Sequence, residues 1–367
     1  MRILMVAPSF EFFGGAAVVF VKLANHLQHY GHEITVLTHN LSGDVISLLD
    51  VKKIIYSSSR PCGYLLKVFF ITSKLYKIQH DFDVINIHNF PAVLGLIFSK
   101  KPALWMCNEP PSVELRYKTR AGFKKIIVSF LLIIDKFIVH RKVNKIVVAD
   151  FFNKKRIESE YGKDSQVIPY GIDTEFYKYQ NKPKDEFVIL QVGVITPEKN
   201  QLETLKAFKS ISDSIKNARL VFAGRPEESY YKVVLKEASD LGLFEKVIFL
   251  ENQTPDSIKD LYYKSSLLIH PVKSQGGWLS AFEAISCGLP VITSEEFTAK
   301  DVISENSLAI VTKDYAQAIM EIWRNPIPNL ELQRRSKWVK DNLSWDKFCN
   351  DFMSSLRNVG SFYKENP

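Results

Sequence analysis

Cysteine is scarce: the 367 residues hold four (Cys62, Cys107, Cys287 and Cys349), far apart and without a Cys-x-x-Cys pair. This excludes a disulfide frame or zinc ribbon and suits a reducing compartment. No Gly-x-Ser-x-Gly elbow, Walker loop or His-Glu-x-x-His pair occurs, which removes the common hydrolase, P-loop and zinc-protease readings. A Gly-x-Gly-x-x-Gly fingerprint is also missing, which weighs against a dinucleotide-dependent dehydrogenase. The longest apolar run, Ile126 to Ile134, is too short to span a bilayer. The opening "MRILMVAPSF" lacks the apolar stretch of a secretory signal and reads as a first strand, so a cytoplasmic location is expected. There is no low-complexity tract, no repeat of roughly 20–50 residues, no helix-turn-helix pattern and no zinc finger. A nucleic-acid partner is therefore not expected.

What is present is ample apolar material and an excess of positive charge. Hydrophobic residues make up 46%, and 48 Lys plus Arg against 40 Asp plus Glu give a net charge of +8. The length suggests two domains with full cores, and the surplus suits an anionic partner such as phosphate or a membrane surface. Short apolar strands alternate with amphipathic helices twice over. The first half begins "RILMVAP", followed by Gly14-Gly15 and a stripe at Val19, Leu23 and Leu27. The second begins "EFVILQVG" and enters "VITPEKNQLETLKAF". Such alternation implies parallel sheets, so each half reads as a Rossmann-like unit. "IPYGIDTEFYKYQNKPKDE" reads as the linker. The helix after Ser344, a plausible N-cap, closes the chain.

Ligands of such sheets bind beyond the carboxyl ends of the strands, so the loops there are the ones to inspect. Gly14-Gly15 precedes a helix whose free amides favour anions, although a plain tight turn explains the pair equally well. Lys199 follows a strand and can neutralise phosphate; a solvated loop lysine is the simpler alternative. In "SQGGWLSAFEA", Gly276 and Gly277 allow close approach, and the amides of Leu279 and Ser280 stand at a helix start. Glu283, about one turn in, either complements the helix dipole or accepts hydrogen bonds from a diol such as ribose. "DFD" (Asp81 to Asp83) precedes a strand and reads as a loop rather than a metal site. His26, His29 and His32 are expected at the surface. "RAGFKKIIVSFLLIIDKFIVHRKVNK" mixes apolar residues with Lys124, Lys125, Lys136, Arg141 and Lys142; it is a core helix with solvated flanks or a membrane-surface helix.

Four stretches in order carry a family resemblance over almost the whole chain: "MRILMVAP…FGGAAVVFVKLANHLQHYGHEITVLT", "VIPYGIDTEFY", "ILQVGVITPEKNQLETLKAF" and "HPVKSQGGWLSAFEAISCGLPVIT". They resemble the retaining glycosyltransferases of family 4, whose fold is GT-B: two α/β Rossmann-like domains facing across a cleft. The resemblance implies an acceptor-binding domain at 1–171, joined by the C-terminal helix 344–367, and a nucleotide-sugar-binding domain at 172–343. It implies sugar transfer from a nucleotide-diphosphate donor, with no cofactor and no required metal, to a glycan or lipid-linked acceptor. The expected setting is the inner face of an anionic cell membrane, in polysaccharide or glycolipid synthesis. The family's glycine loop falls on Gly14-Gly15, its phosphate lysine on Lys199, and its ribose-binding glutamate on Glu283. The peptide amides of Leu279 and Ser280 would face the distal phosphate.

The sequence departs from the family at several points. The usual phosphate arginine falls on Val194, and the first motif glutamate on Gln275. The usual Gly-aromatic-Gly is Gly276-Gly277-Trp278. "CNEPP" stands where a strand-end histidine is common, which makes Asn108 or Glu109 a candidate contact for the donor sugar. The missing arginine and glutamate leave a second reading, a catalytically inactive nucleotide-sugar-binding or regulatory protein of the same fold.

Overall fold

The computed structural model describes residues 1–11, 14–58, 64–111, 123–181, 186–273 and 278–365, without the side chains of 64–65, 123–128 and 361–365. The chain forms two compact units, Met1–Gly171 with Trp345–Pro367, and Ile172–Ser344.

The first unit is built on a seven-stranded sheet of β1 (Arg2–Val6), β2 (Glu33–Thr38), β3 (Lys53–Tyr56), β4 (Val84–His88), β5 (Ala103–Met106), β6 (Lys145–Val148) and β7 (Gln166–Val167). Its spatial order is β3-β2-β1-β4-β5-β6-β7, with every pair parallel. Strands such as "RILMV" and "VINIH" are apolar along most of their length because the sheet is covered on both faces; Ile3, Met5, Val84 and Ile87 are all fully buried. Helix α1 (Gly15–His29) buries the stripe of Val19, Leu23 and Leu27, and Gly31 beyond it takes φ +79°, as a helix stop requires. Helix α2 (Tyr64–Ile78), the 3-10 segment Ala92–Phe98 and helix α3 (Phe123–Lys142) pack side by side. Helix α4 (Phe151–Tyr161) is capped by Asp150, whose Oδ1 accepts the Asn153 amide at 2.7 Å.

The second unit repeats the plan with six parallel strands: β8 (Val188–Val192), β9 (Arg219–Ala223), β10 (Val247–Leu250), β11 (Leu267–His270), β12 (Val291–Thr293) and β13 (Ile310–Val311). Their order is β10-β9-β8-β11-β12-β13. Helices α5 (Gln201–Ile211), α6 (Pro255–Lys264) and α7 (Trp278–Ser286) follow β8, β10 and β11. The last helix, α8 (Trp345–Glu365), packs on α1 in the first unit.

Two expectations change. The stretch read as a linker is, from Ile172 to Tyr179, packed into the second unit: Ile172 and Tyr177 are buried, and the Tyr177 carbonyl accepts the Ser286 hydroxyl. Its aromatic and aliphatic residues have a core to join, which turn-forming composition alone does not reveal. Of the three histidines, His29 is exposed, but His32 is buried against the N-terminal amine and His26 lies 3.8 Å from Asp346 of α8. The long-range return of α8 covers them.

Candidate functional site

In each sheet the chain order reverses direction between the first and fourth strands of the unit, β1/β4 and β8/β11, and the crevice outside such a pair is where open α/β sheets take ligands. In the second unit, Lys199 and α7 emerge from the two strands at that point. After β8, Gly193 (φ +142°) leads through Val194 and Ile195 to the 3-10 turn Pro197–Lys199. The Lys199 stem lies over Gly193: a Cβ there would sit 3.7 Å from its Cε. Its backbone is fixed from below. The buried Gln191 of β8 donates to the Lys199 carbonyl at 2.6 Å and accepts from Thr204 of α5 at 2.7 Å. The Lys273 amide, beyond β11, donates to the Glu198 carbonyl at 2.8 Å and so ties the two loops together. At the end of β11, burial and then the Lys199 charge hold the His270 imidazole well below its ordinary pKa, so it is neutral. Lys199 is thus a cation on a rigid turn at the carboxyl edge of the sheet.

Helix α7 follows β11, with Leu279 and Ser280 in its first turn. Trp278 and Phe282 are buried with ring centroids 4.9 Å apart and anchor the helix, which leaves Glu283 half-buried beside them. The Glu283 Oε2 accepts the Tyr262 hydroxyl at 2.9 Å. Burial raises its carboxyl to about 7, the Tyr262 bond pulls it down, and the Asp173 charge adds to the rise. Gln275, Gly276 and Gly277 lie outside the described residues.

The remaining candidates belong to the first unit. Gly14 is the N-cap of α1 in ordinary extended backbone (φ −107°), so its glycine matters for space rather than for φ; Gly15 opens the helix. Asn108 and Glu109 follow β5. The Asn108 Oδ1 accepts the Tyr170 hydroxyl at 2.5 Å and its backbone carbonyl accepts from Asn153 at 3.2 Å, so a ligand would meet the amide nitrogen of that side chain. At the end of β4, His88 is buried between Phe20 and the side-chain oxygen Oδ1 of Asn86, 2.7 Å from its Nε2, and burial lowers its pKa to about 3. Asp83 accepts the Arg2 amide at 2.8 Å, a loop role as expected. Among the described residues, no three His, Cys, Asp or Glu side chains gather as a metal site would need.

Two groups at the second-unit site escaped sequence reasoning. Tyr262 lies 21 residues from Glu283, and only the fold joins them. Arg225 follows β9 after Gly224, and its carbonyl accepts the Ile195 amide at 2.9 Å. Its place after "ARLVFAG" was a usable signal, since a strand's carboxyl end is where ligands are met.

Residues 173–341 match the family described as glycosyl transferases group 1, and residues 13–176 match glycosyltransferase family 4. A D-inositol 3-phosphate glycosyltransferase of Rhodococcus opacus is 28% identical over 47% of this chain and 41% of its own length. The lipopolysaccharide glucosyltransferase WaaG of Escherichia coli is 22% identical over 90% of each. Anabaena Alr3699/HepE, solved with UDP and glucose, superposes with a TM-score of 0.82 at 17% identity, over 98% of this chain and 100% of that one. For the first relatives the match spans only part of their length, 41% and 62% for the first two. The two sheets and their order define a GT-B protein, and the chain belongs to the group 1, family 4 glycosyltransferases.

Proposed function

We propose that this glycosyltransferase moves a sugar from a nucleoside-diphosphate donor to a glycan or lipid-linked acceptor, with retention at the anomeric carbon, in the building of a cell-surface polysaccharide or glycolipid. One observation carries the reading: Lys199 and the first turn of α7 emerge from adjacent strands at the sheet's switch point, joined by the Lys273–Glu198 bond. A diphosphate placed there meets one ammonium and the amides of Leu279 and Ser280, and one carboxylate, Glu283, is at hand for the ribose. Gly276 and Gly277 would let the diphosphate come close to that turn. As the donor bond breaks, negative charge grows on the diphosphate, and these fixed groups stabilise it without a metal or cofactor. The acceptor hydroxyl attacks from the leaving-group face, and the departing phosphate takes its proton. Gln275 reads hydroxyls of the transferred sugar.

The acceptor side of the reading includes an anionic membrane surface at the cytoplasmic face. Leu66, Phe69 and Tyr76 of α2, Phe98, and Phe130, Ile133 and Phe137 of α3 are all exposed. The segments that carry them pack together: Tyr76 meets Phe98 edge-on at 6.3 Å, and Lys142 of α3 donates to the Ser99 carbonyl at 3.0 Å. Lys77, Lys136 and Arg141 fringe it, α2 has no acid, and the one acid of α3, Asp135, is buried. Apolar residues with a cationic rim, and no exposed acid among the described residues of the two helices, suit an anionic bilayer and disfavour a second copy of the same face. Among the described residues no helix is long and apolar enough to cross a membrane.

Val194 favours the second reading, a binding protein without turnover, because a neutral side chain stands where the family carries a phosphate arginine. Donor hydrolysis and transfer by the purified chain, with UDP-, GDP- and ADP-sugars in turn, decide the matter. Release of nucleoside diphosphate supports transfer; nucleotide binding without release supports the alternative.

A further inference from the structure

We infer that Arg225 is the second phosphate-binding cation of the donor site and stands in for the arginine that Val194 replaces. The inference rests on the functional reading above. Val194 removes a positive charge beside Lys199, and a diphosphate leaving group held by one ammonium and two amides is poorly neutralised. Sheet pairing brings another cation to that loop. β8 and β9 are adjacent and parallel, so Gly193 and Val194 after β8 run beside Gly224 and Arg225 after β9. The approach is close: a Cβ on Gly224 would fall 2.0 Å from the Gly193 carbonyl oxygen and 3.3 Å from the Val194 nitrogen, so only glycine permits it. The Ile195 amide donates to the Arg225 carbonyl, the Glu227 amide returns to the Ile195 carbonyl at 3.1 Å, and Ile195 and Pro226 form a parallel bridge.

These bonds fix the Arg225 backbone one strand away from Lys199, on the same carboxyl edge. Arg225 is an exposed residue at that edge rather than one enclosed in the core. A guanidinium is always charged and grips phosphate oxygens through two parallel N–H bonds, a task that an ammonium performs only as a point charge. The side chain at 194 is therefore free to be apolar, because the neighbouring strand end carries the charge. This also separates the two functional readings: a lost arginine signals lost catalysis only when nothing replaces it.

The test titrates UDP, GDP and ADP into the wild-type protein, then takes the tightest of them and its parent nucleoside into Arg225→Ala, Lys199→Ala, Val194→Arg and the double variant Val194→Arg/Arg225→Ala. Thermal melts check folding. Arg225→Ala is expected to weaken the diphosphate at least tenfold and leave the nucleoside unchanged, and Val194→Arg in that background is expected to restore most of the loss. A structural role would weaken both ligands and would not be rescued from position 194. Unchanged diphosphate affinity in Arg225→Ala, equal losses for nucleoside and diphosphate, or a double variant as weak as the single overturns the inference. If Lys199→Ala alone is affected, the donor site stands and Arg225 is removed from it. If the wild type binds none of the three, the donor site itself fails and the inference falls with it.

Discussion

The Tyr262 hydroxyl donates to Oε2 of Glu283 over 2.9 Å, and among the described residues this is the one bond its carboxylate makes. It offsets part of the burial that raises Glu283 to about 7. On the proposed reading a ribose diol needs the ionised acceptor, so nucleotide binding should be present above the Glu283 pKa and lost as pH falls through it. Removing the hydroxyl raises that pKa further. Tyr262→Phe should move the midpoint of UDP binding up by about one pH unit, which is roughly a fivefold weakening at pH 7 that disappears near pH 9. Calorimetry across pH checks this, with Glu283→Gln as the reference that carries only the ligand's own titration. A Tyr262→Phe defect of constant size at every pH would assign the tyrosine to packing alone.

On the proposed reading, Lys199 acts on a charge that grows during the reaction. Lys199→Ala should therefore lower turnover at saturating donor by about a hundredfold or more, while weakening donor binding less. Steady-state rates at saturation decide it, and a normal rate removes Lys199 from the site.

Burial raises Asp135 to about 7 against the bond it accepts from Tyr161 at 2.5 Å, with Glu160 adding to the rise. Unfolded, the same carboxyl titrates near 4. Between these values the folded state holds the extra proton, so this group's contribution to stability falls as pH rises from about 4 to about 7, by up to about 4 kcal/mol. Asp135→Asn keeps an acceptor for Tyr161 and removes the titration. Its stability relative to the parent should grow across that window and level off above it, as urea unfolding at several pH values would show. A difference that does not change with pH would mean that Asp135 is ionised in the fold.

Most of the architecture was legible in the sequence because buried parallel strands are apolar throughout and their helices carry plain stripes, as at Val19, Leu23 and Leu27. Lys199 and Glu283 could be named because each lies close to a strand or helix end. Tyr262 could not, since only the fold brings its helix to Glu283; Arg225 carried a signal in its place after a strand, but its neighbour at 194 is set by strand order, which is not written in local periodicity. His32 was misjudged for the same reason: the α8 that covers it lies at the other end of the chain. The α3 face was half legible. Its basic residues stood out, whereas the contribution of α2 and Phe98 depends on three segments packing together.

That face makes its own prediction. The chain should co-sediment with phosphatidylglycerol vesicles at low salt and be released as salt screens the charges, each basic residue near the surface contributing roughly 1 kcal/mol. Replacing Lys77, Lys136 and Arg141 with Glu should abolish binding. Replacing Phe69, Phe130 and Phe137 with Ser should weaken it at every salt concentration. Binding that ignores both sets would place the contact elsewhere.

The most direct measurement of the account is turnover of a nucleoside-diphosphate sugar, followed by NMR of the anomeric proton of the product. The account predicts release of nucleoside diphosphate from one donor of a panel, an anomeric configuration retained in the product, and loss of both signals in Lys199→Ala and Glu283→Ala with folding intact. A chain that binds the nucleotide but turns over no donor with any acceptor lipid or glycan offered would contradict it and establish a binding protein instead.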